Sequence, residues 1–142
     1  MCKVLTKWLS QYSDWALVPL RIVVGLSFLF HGWGKLFGAM PGLEAWTGML
    51  GGMGVPAAGL MAWVVGLIEL LGGAALLLGI GVEVAGLLLA VVMLVAIVMV
   101  HAKDGFFLPG GYEYALTLLG ASLTLALTGA GKKLNLGKKY CK

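Results

Sequence analysis

The stretch AAGLMAWVVGLIELLGGAALLLG, residues 57–79, decides the class of this protein, because its 23 consecutive residues include a single charged side chain, Glu69. A helix needs about 20 predominantly apolar residues to cross the hydrocarbon core of a bilayer. The stretch is therefore predicted to be a transmembrane helix, with Glu69 near the middle of the membrane.

Three further apolar runs, at about 17–37, 84–100 and 112–128, have the same character. Hydrophobic residues make up 61% of the chain and charged residues 11%, whereas a soluble surface needs about 25–35% charged residues. The sequence predicts an all-α membrane protein, an antiparallel bundle of four transmembrane helices that forms one domain over residues 1–142. No small-x-small cleavage pattern follows the first run, so we expect that span to be retained.

Basic residues predict how the bundle is oriented. An even number of spans places both termini on one side of the membrane, and seven lysines outside the spans lie on that side, against two on the other. Cytoplasmic segments carry the excess of lysine, so we expect a multi-pass plasma-membrane protein with both termini in the cytoplasm. The basic residues are too few to indicate a nucleic-acid partner. The seven are Lys3, Lys7, Lys132, Lys133, Lys138, Lys139 and Lys142, and the two are Lys35 and Lys103.

Two helical stripes of small residues each carry a charge. The first span places Arg21, Gly25, Phe28, Gly32 and Lys35 on one face, and the second places Gly59, Ala62, Gly66, Glu69 and Gly73 on one face. Since small residues let membrane helices approach closely and a charge in the hydrocarbon usually has a partner, we predict an ion pair between Arg21 and Glu69. The pair either fixes the helix register or takes part in proton or substrate handling.

Five polar side chains from three spans are expected at similar depth near the outer surface: His31, Lys35, His101, Tyr112 and Glu113. They are the candidates for a substrate or quinone pocket, although each alone could be an interfacial residue. No metal-ligand spacing is present, and the role of Cys2 and Cys141, one residue from each end, stays open. We expect no resident cofactor. His31 and His101 as haem ligands are a minor alternative.

These residues resemble the DoxX family of small four-span membrane proteins. The resemblance runs from about Arg21 to Leu136 and is carried by four motifs. The motifs are Arg21-x3-Gly25-x2-Phe28-x2-His31-Gly32-x2-Lys35-Leu36-Phe37, Ile68-Glu69-Leu70-Leu71-Gly72-Gly73, His101-x3-Gly105-Phe106-Phe107 and Gly110-Gly111-Tyr112-Glu113-Tyr114-Ala115-Leu116. The resemblance implies a four-helix membrane bundle and the membrane subunit of a thiosulfate:quinone oxidoreductase-like system.

The leading functional hypothesis is therefore a quinone-interacting membrane subunit of an oxidoreductase. The pocket candidates could donate hydrogen bonds and protons to a quinone, while Lys35, Lys103 and the two histidines could attract thiosulfate, a dianion. No flavin motif or iron–sulfur cysteine set supplies electrons, so it stays open whether the chain is itself an enzyme. The alternatives are an accessory subunit of a respiratory complex, and a transporter with a path past Glu69 and Arg21. The expected partners are the bilayer, a second copy of the chain or other oxidoreductase subunits.

Overall fold

The computed structural model describes residues 2–38 and 41–137, with side chains from residue 5 onward. Helices form wherever the sequence has apolar runs, because only a helix satisfies its own backbone hydrogen bonds in lipid. The six α-helices of the described residues are α1 Cys2–Ser10, α2 Leu17–Leu36, α3 Leu43–Gly52, α4 Ala58–Leu78, α5 Val82–Ala96 and α6 Glu113–Thr128. The Cys2 thiol, Cys141 and the side chains of Lys3, Lys138, Lys139 and Lys142 lie outside the described part.

The predicted all-α membrane bundle is confirmed. Three helical stretches are long and apolar enough to cross a membrane, Ser13–Leu36, Ala58–Leu78 and Val82–Asp104. The fourth, α6, has 16 residues and a length of about 24 Å, which is shorter than the hydrocarbon core of about 30 Å. The helices α2, α4, α5 and α6 pack in a ring in which each contacts two neighbours.

Glycines set the close contact between α2 and α4. A Cβ added at Gly32 would lie 2.7 Å from the carbonyl oxygen of Gly66, and one added at Gly73 would lie 2.7 Å from that of Gly25. The two antiparallel backbones therefore touch, and any larger side chain at these positions would separate them. This contact fixes the register of α2 against α4.

A tight turn at Gly79–Gly81 joins α4 to α5 at one end of the bundle, where α2 begins and α6 ends. This end is called the terminal side. Gly79 and Gly81 have φ values of +69° and +54°, which glycine adopts without steric cost. The segment after α6 returns to this turn, where the Leu136 amide donates to the Leu78 carbonyl at 3.2 Å and the Gly137 amide to the Gly79 carbonyl at 3.0 Å. The turn is thus covered by the chain's own C-terminal segment.

The other end of the bundle, where α2 ends and α6 begins, is called the loop side and is built differently. The helix α3 follows the end of α2 and packs mainly on α4 through the buried side chains Trp46 and Leu50. At the same end of the bundle, α5 continues as a π-helical turn, Ile97–His101, and a short 3₁₀ turn, Ala102–Asp104. Side chains of α3 and of the π-helical turn line a cavity between the helices.

Candidate functional site

Arg21 does not pair with Glu69, which corrects the prediction from the small-residue stripes. The guanidinium is buried, with 1% of the residue exposed, and it donates five hydrogen bonds to backbone carbonyls. Two acceptors, Leu76 and Leu77, end α4, and the others belong to the segment after α6: Ala130, Lys133 and Leu134. Since arginine has five N–H donors, Arg21 fastens the C-terminal segment to the end of α4 and is saturated there.

Glu69 pairs with Lys35 instead. The Lys35 Nζ lies 2.6 Å from both carboxylate oxygens, with 1% of the Glu69 side chain and 14% of the Lys35 side chain exposed. The ammonium also stands 4.5 Å from the centroid of the Trp46 ring, which is a favourable cation–π distance. A buried ion pair is thus capped by an aromatic ring from α3.

The direction of helical side chains explains this choice of partner. The Gly25–Gly73 and Gly32–Gly66 contacts place Glu69 about level with Leu29, eight residues or about 12 Å along α2 from Arg21. Each Cα–Cβ bond tilts toward the N-terminus of its own helix, so in the antiparallel pair the side chains of Arg21 and Glu69 diverge. Those of Lys35 and Glu69 converge, which closes the remaining gap between them.

An apolar cavity of about 580 Å³ lies beside the ion pair. Its walls come from α2, α3, α4, α5 with its π-helical turn, and α6. The polar or aromatic residues among its lining are Phe28, His31, Lys35, Trp46, Glu69, His101 and Tyr114. Most of the other walls are aliphatic or methionine side chains, so the cavity is apolar with its polar groups confined to a few positions.

Three of the five pocket candidates, His31, Lys35 and His101, line this cavity. The expectation that Tyr112 and Glu113 join them is wrong. The Tyr112 ring packs edge-on against Phe106 at 5.4 Å between centroids, and the Glu113 Oε1 accepts a hydrogen bond of 2.8 Å from the Leu108 amide. Both residues therefore hold the loop that precedes α6.

Tyr114, the next residue, lies at the cavity where Tyr112 and Glu113 were predicted to lie. It lines the cavity together with Ala115 and Leu118 of the same helix, and its ring lies 6.3 Å from the His31 ring. The helix α6 is short and apolar, so its helical periodicity is weak. Spacing alone therefore could not predict which of the three consecutive residues 112–114 faces the cavity.

Sequence reasoning allowed a short helix in the first loop but did not place Trp46 or the methionines at the site. Trp46 is 7% exposed, and its Nε1 is buried with no hydrogen-bond partner among the described residues. Five of the chain's seven methionines line the cavity: Met49, Met53, Met61, Met93 and Met99. Thioether side chains are flexible and polarizable and favour contact with aromatic rings, and this enrichment was a signal available in the sequence.

The charge of the site differs from the expectation of an anion-attracting pocket. Lys35 is neutralised by Glu69, and Lys103 does not line the cavity. Apart from Lys35 and Glu69, the described residues of the lining include no lysine, arginine, aspartate or glutamate. The cavity therefore suits a neutral ligand and gives no electrostatic attraction for a small dianion such as thiosulfate.

Comparisons with known proteins agree with the fold. The family model described as DoxX matches residues 16–102. A protein of Bacillus subtilis (strain 168) named "Putative oxidoreductase CatD" is 35% identical to this chain over 111 residues, which are 78% of this chain and 77% of CatD. No solved structure gives a significant match.

Proposed function

The chain belongs to the DoxX family of membrane proteins, and we propose that it binds a quinone in the intramembrane cavity as the membrane component of an oxidoreductase system. The relative CatD carries the oxidoreductase name. The observation that carries the proposal is the apolar cavity of about 580 Å³ with the buried Lys35–Glu69 pair in its lining. The proposed orientation has both termini in the cytoplasm of the plasma membrane, as the lysine distribution favours.

The cavity fits the chemistry of a quinone. The ligand combines an apolar conjugated ring with two carbonyl oxygens, and a pocket for it needs apolar walls with a few placed polar groups. Methionine and aromatic walls contact the ring favourably. Lys35 is a hydrogen-bond donor that the low dielectric strengthens, and Glu69 keeps that donor from adding net charge.

Reduction of a quinone to a hydroquinone consumes two electrons and two protons. The ammonium of Lys35, the hydroxyl of Tyr114 and the imidazole of His31 are proton-bearing groups in the cavity lining. Lys35 and Glu69, with N and O atoms 2.6 Å apart, can pass a proton between them. The electrons come from a partner protein of the system, since this chain has no flavin motif or iron–sulfur cysteine set.

The cavity geometry favours this proposal over transport. The transport hypothesis needs a path from the outer cluster past Glu69 to Arg21, but all five N–H donors of Arg21 are bound to carbonyls. Arg21 also does not line the cavity. The closed terminal side supports a pocket reached from the loop side or from the lipid.

The test is the amount of quinone bound to the purified protein. We expect quinone in an organic extract of protein purified in mild detergent. Ala96→Phe fills the cavity, because Ala96 lines it, and should reduce bound quinone at least about tenfold, since about 1.4 kcal/mol of steric cost suffices. Val98→Phe is the matched control on the same turn, because Val98 is 67% exposed and outside the lining.

Three results would argue against the proposal. Equal quinone in both variants would place the ligand elsewhere. A wild-type extract without quinone, in protein that also binds none when it is added, would leave the accessory role as the better reading. A Soret absorption band would indicate haem at His31 and His101.

A further inference from the structure

His101 occupies an unusual backbone position at the cavity. It ends the π-helical turn, Ile97–His101, that follows α5, and it lines the cavity. Such turns interrupt the regular ladder and are frequent at functional sites. The turn carries His101 to the loop side, where it meets the segment before α6.

The hydrogen bond of His101 to this loop requires a proton on one particular ring nitrogen. Its Nδ1 lies 2.9 Å from the carbonyl oxygen of Gly110. A carbonyl can only accept, so Nδ1 must be the protonated donor. In the neutral imidazole the other nitrogen, Nε2, then has a lone pair and no hydrogen, and it is an acceptor.

The loop that provides this carbonyl is held by its own hydrogen bonds. The Tyr112 amide donates to the Gly105 carbonyl at 3.0 Å and the Glu113 amide to the Phe106 carbonyl at 2.9 Å. The Glu113 carboxylate accepts from the Leu108 amide on the same loop. Gly110 is thereby fixed opposite His101, and the tautomer of His101 is imposed by the fold.

The other polar groups at the cavity differ from His101 in this respect. Lys35 is a donor only, and both oxygens of Glu69 already accept from Lys35. Tyr114 and His31 can act as donor or acceptor according to how their hydrogens are placed. Among these lining side chains, His101 is the acceptor whose role the backbone determines.

We infer that His101 Nε2 accepts a hydrogen bond from a ligand hydroxyl, so that the cavity holds the hydroquinone more tightly than the quinone. The inference rests on the proposed function and adds to it a preference for one redox form. A quinone carbonyl has no hydrogen to give to Nε2, and the two acceptors repel. A hydroquinone hydroxyl donates to Nε2, while Lys35 can donate to an oxygen of either form.

The experiment measures binding of a short-chain benzoquinone and of the matching hydroquinone, kept anaerobic, to the full chain in detergent at about pH 8, where an ordinary imidazole is uncharged. The test variant is His101→Asn, because the asparagine amide nitrogen can replace Nδ1 toward Gly110 but leaves nothing at the position of Nε2. The matched control is Val98→Phe, which changes an exposed residue of the same π-helical turn that lies outside the cavity lining.

We expect His101→Asn to weaken hydroquinone binding about three- to tenfold, as for the loss of one hydrogen bond, and to change quinone binding less than about twofold. Val98→Phe should leave the ratio of the two affinities as in the wild type. His101→Gln, whose amide oxygen can occupy the position of Nε2, should restore most of the preference. A tenfold preference also shifts the midpoint potential of the bound couple by about 30 mV.

Two failures are distinguishable. If the wild type binds neither form, the proposed function fails. If both forms bind and their affinity ratio is the same in the wild type, His101→Asn and Val98→Phe, the quinone site stands and the role of His101 is overturned. A His101→Asn protein that does not fold leaves His101→Gln and the wild-type ratio as the deciding measurements, and a wild-type preference for quinone would also overturn the inference.

Discussion

The two ends of the bundle bury a cation in opposite ways. At the terminal side, Arg21 binds five backbone carbonyls at the end of α4 and in the segment after α6. At the loop side, Lys35 binds one carboxylate, and an apolar cavity lies beside the pair. The first cation closes its end of the bundle, whereas the second leaves space for a ligand.

This difference matters because both arrangements remove a charge from water, which is costly unless every donor is satisfied. The backbone carbonyls that Arg21 binds cannot take up a proton. A carboxylate such as that of Glu69 can act as a proton acceptor. Chemistry is therefore expected at the loop side and structural stabilisation at the terminal side.

The largest expected effect is the loss of Arg21. Arg21→Ala leaves the carbonyls of Leu76, Ala130 and Leu134 among others without their donor, at about 1–3 kcal/mol for each one that stays buried. We expect the free energy of unfolding to fall by at least about 3 kcal/mol, seen as a large drop in melting temperature in mild detergent. Arg21→Lys should retain only part of the wild-type stability, because a lysine cannot reproduce the five N–H donors of the guanidinium.

Combining Arg21→Ala with Glu69→Gln tests whether the two ends of the bundle contribute to stability independently. Because Arg21 and Glu69 share no partner in the structure, their effects should add within about 0.5 kcal/mol. A clear interaction energy between them would show that the two ends are coupled and would undermine the division of roles drawn above.

The next effect concerns Lys35 and Glu69 themselves. Lys35→Met strands the buried Glu69 carboxylate and should cost about 3–5 kcal/mol, while the double change Lys35→Met with Glu69→Gln should recover much of that loss. Unfolding measured on the wild type, both single variants and the double variant gives the interaction energy. Lys103→Met is the control outside the cavity and should be close to neutral. A double variant no more stable than Lys35→Met would contradict the pairing.

The helices were predictable from the sequence because polar side chains are costly in lipid. A long run without them therefore marks a membrane-spanning helix. The predicted spans 17–37 and 57–79 differ by no more than one residue at either end from α2, Leu17–Leu36, and α4, Ala58–Leu78. Most of each stripe was predictable too, since Gly25, Gly32, Gly66 and Gly73 are all buried. Gly59, the first member of the second stripe, is instead exposed. Helical periodicity and the transfer energy into lipid depend on one helix alone, so they can be predicted without knowing how the helices pack.

The pairing of charges was harder to predict, because it depends on how two helices are aligned. Arg21, Lys35 and Glu69 all lie on the predicted faces, and only the glycine register and the tilt of the side chains decide that Glu69 meets Lys35. The His101–Gly110 bond required a π-helical turn and an ordered loop, neither of which has a signal in hydropathy. These features come from tertiary packing.

A smaller effect tests the close contact that aligns the two ends. Gly32→Ala places a methyl group 2.7 Å from the Gly66 carbonyl oxygen and should cost about 1–3 kcal/mol through overpacking. Gly59→Ala is the matched control in α4, where nothing lies within 4 Å of the added Cβ, and it should stabilise by up to about 1 kcal/mol through helix propensity. Equal melting temperatures for the two variants would contradict the close approach.

The smallest effect concerns Trp46, whose unpaired donor contrasts with the saturated donors of Arg21. Trp46→Phe keeps an aromatic ring near the Lys35 ammonium and removes the buried Nε1–H that has no partner among the described residues. The loss of contact area and the removal of an unsatisfied group oppose each other, so the free energy of unfolding should change by less than about 1 kcal/mol. Trp46→Ala, which leaves a cavity, should cost about 3–5 kcal/mol. Should Trp46→Phe prove as damaging as Trp46→Ala in melting experiments, the indole N–H must have an acceptor in the folded protein, and a ligand in the adjoining cavity would be the first place to look for it.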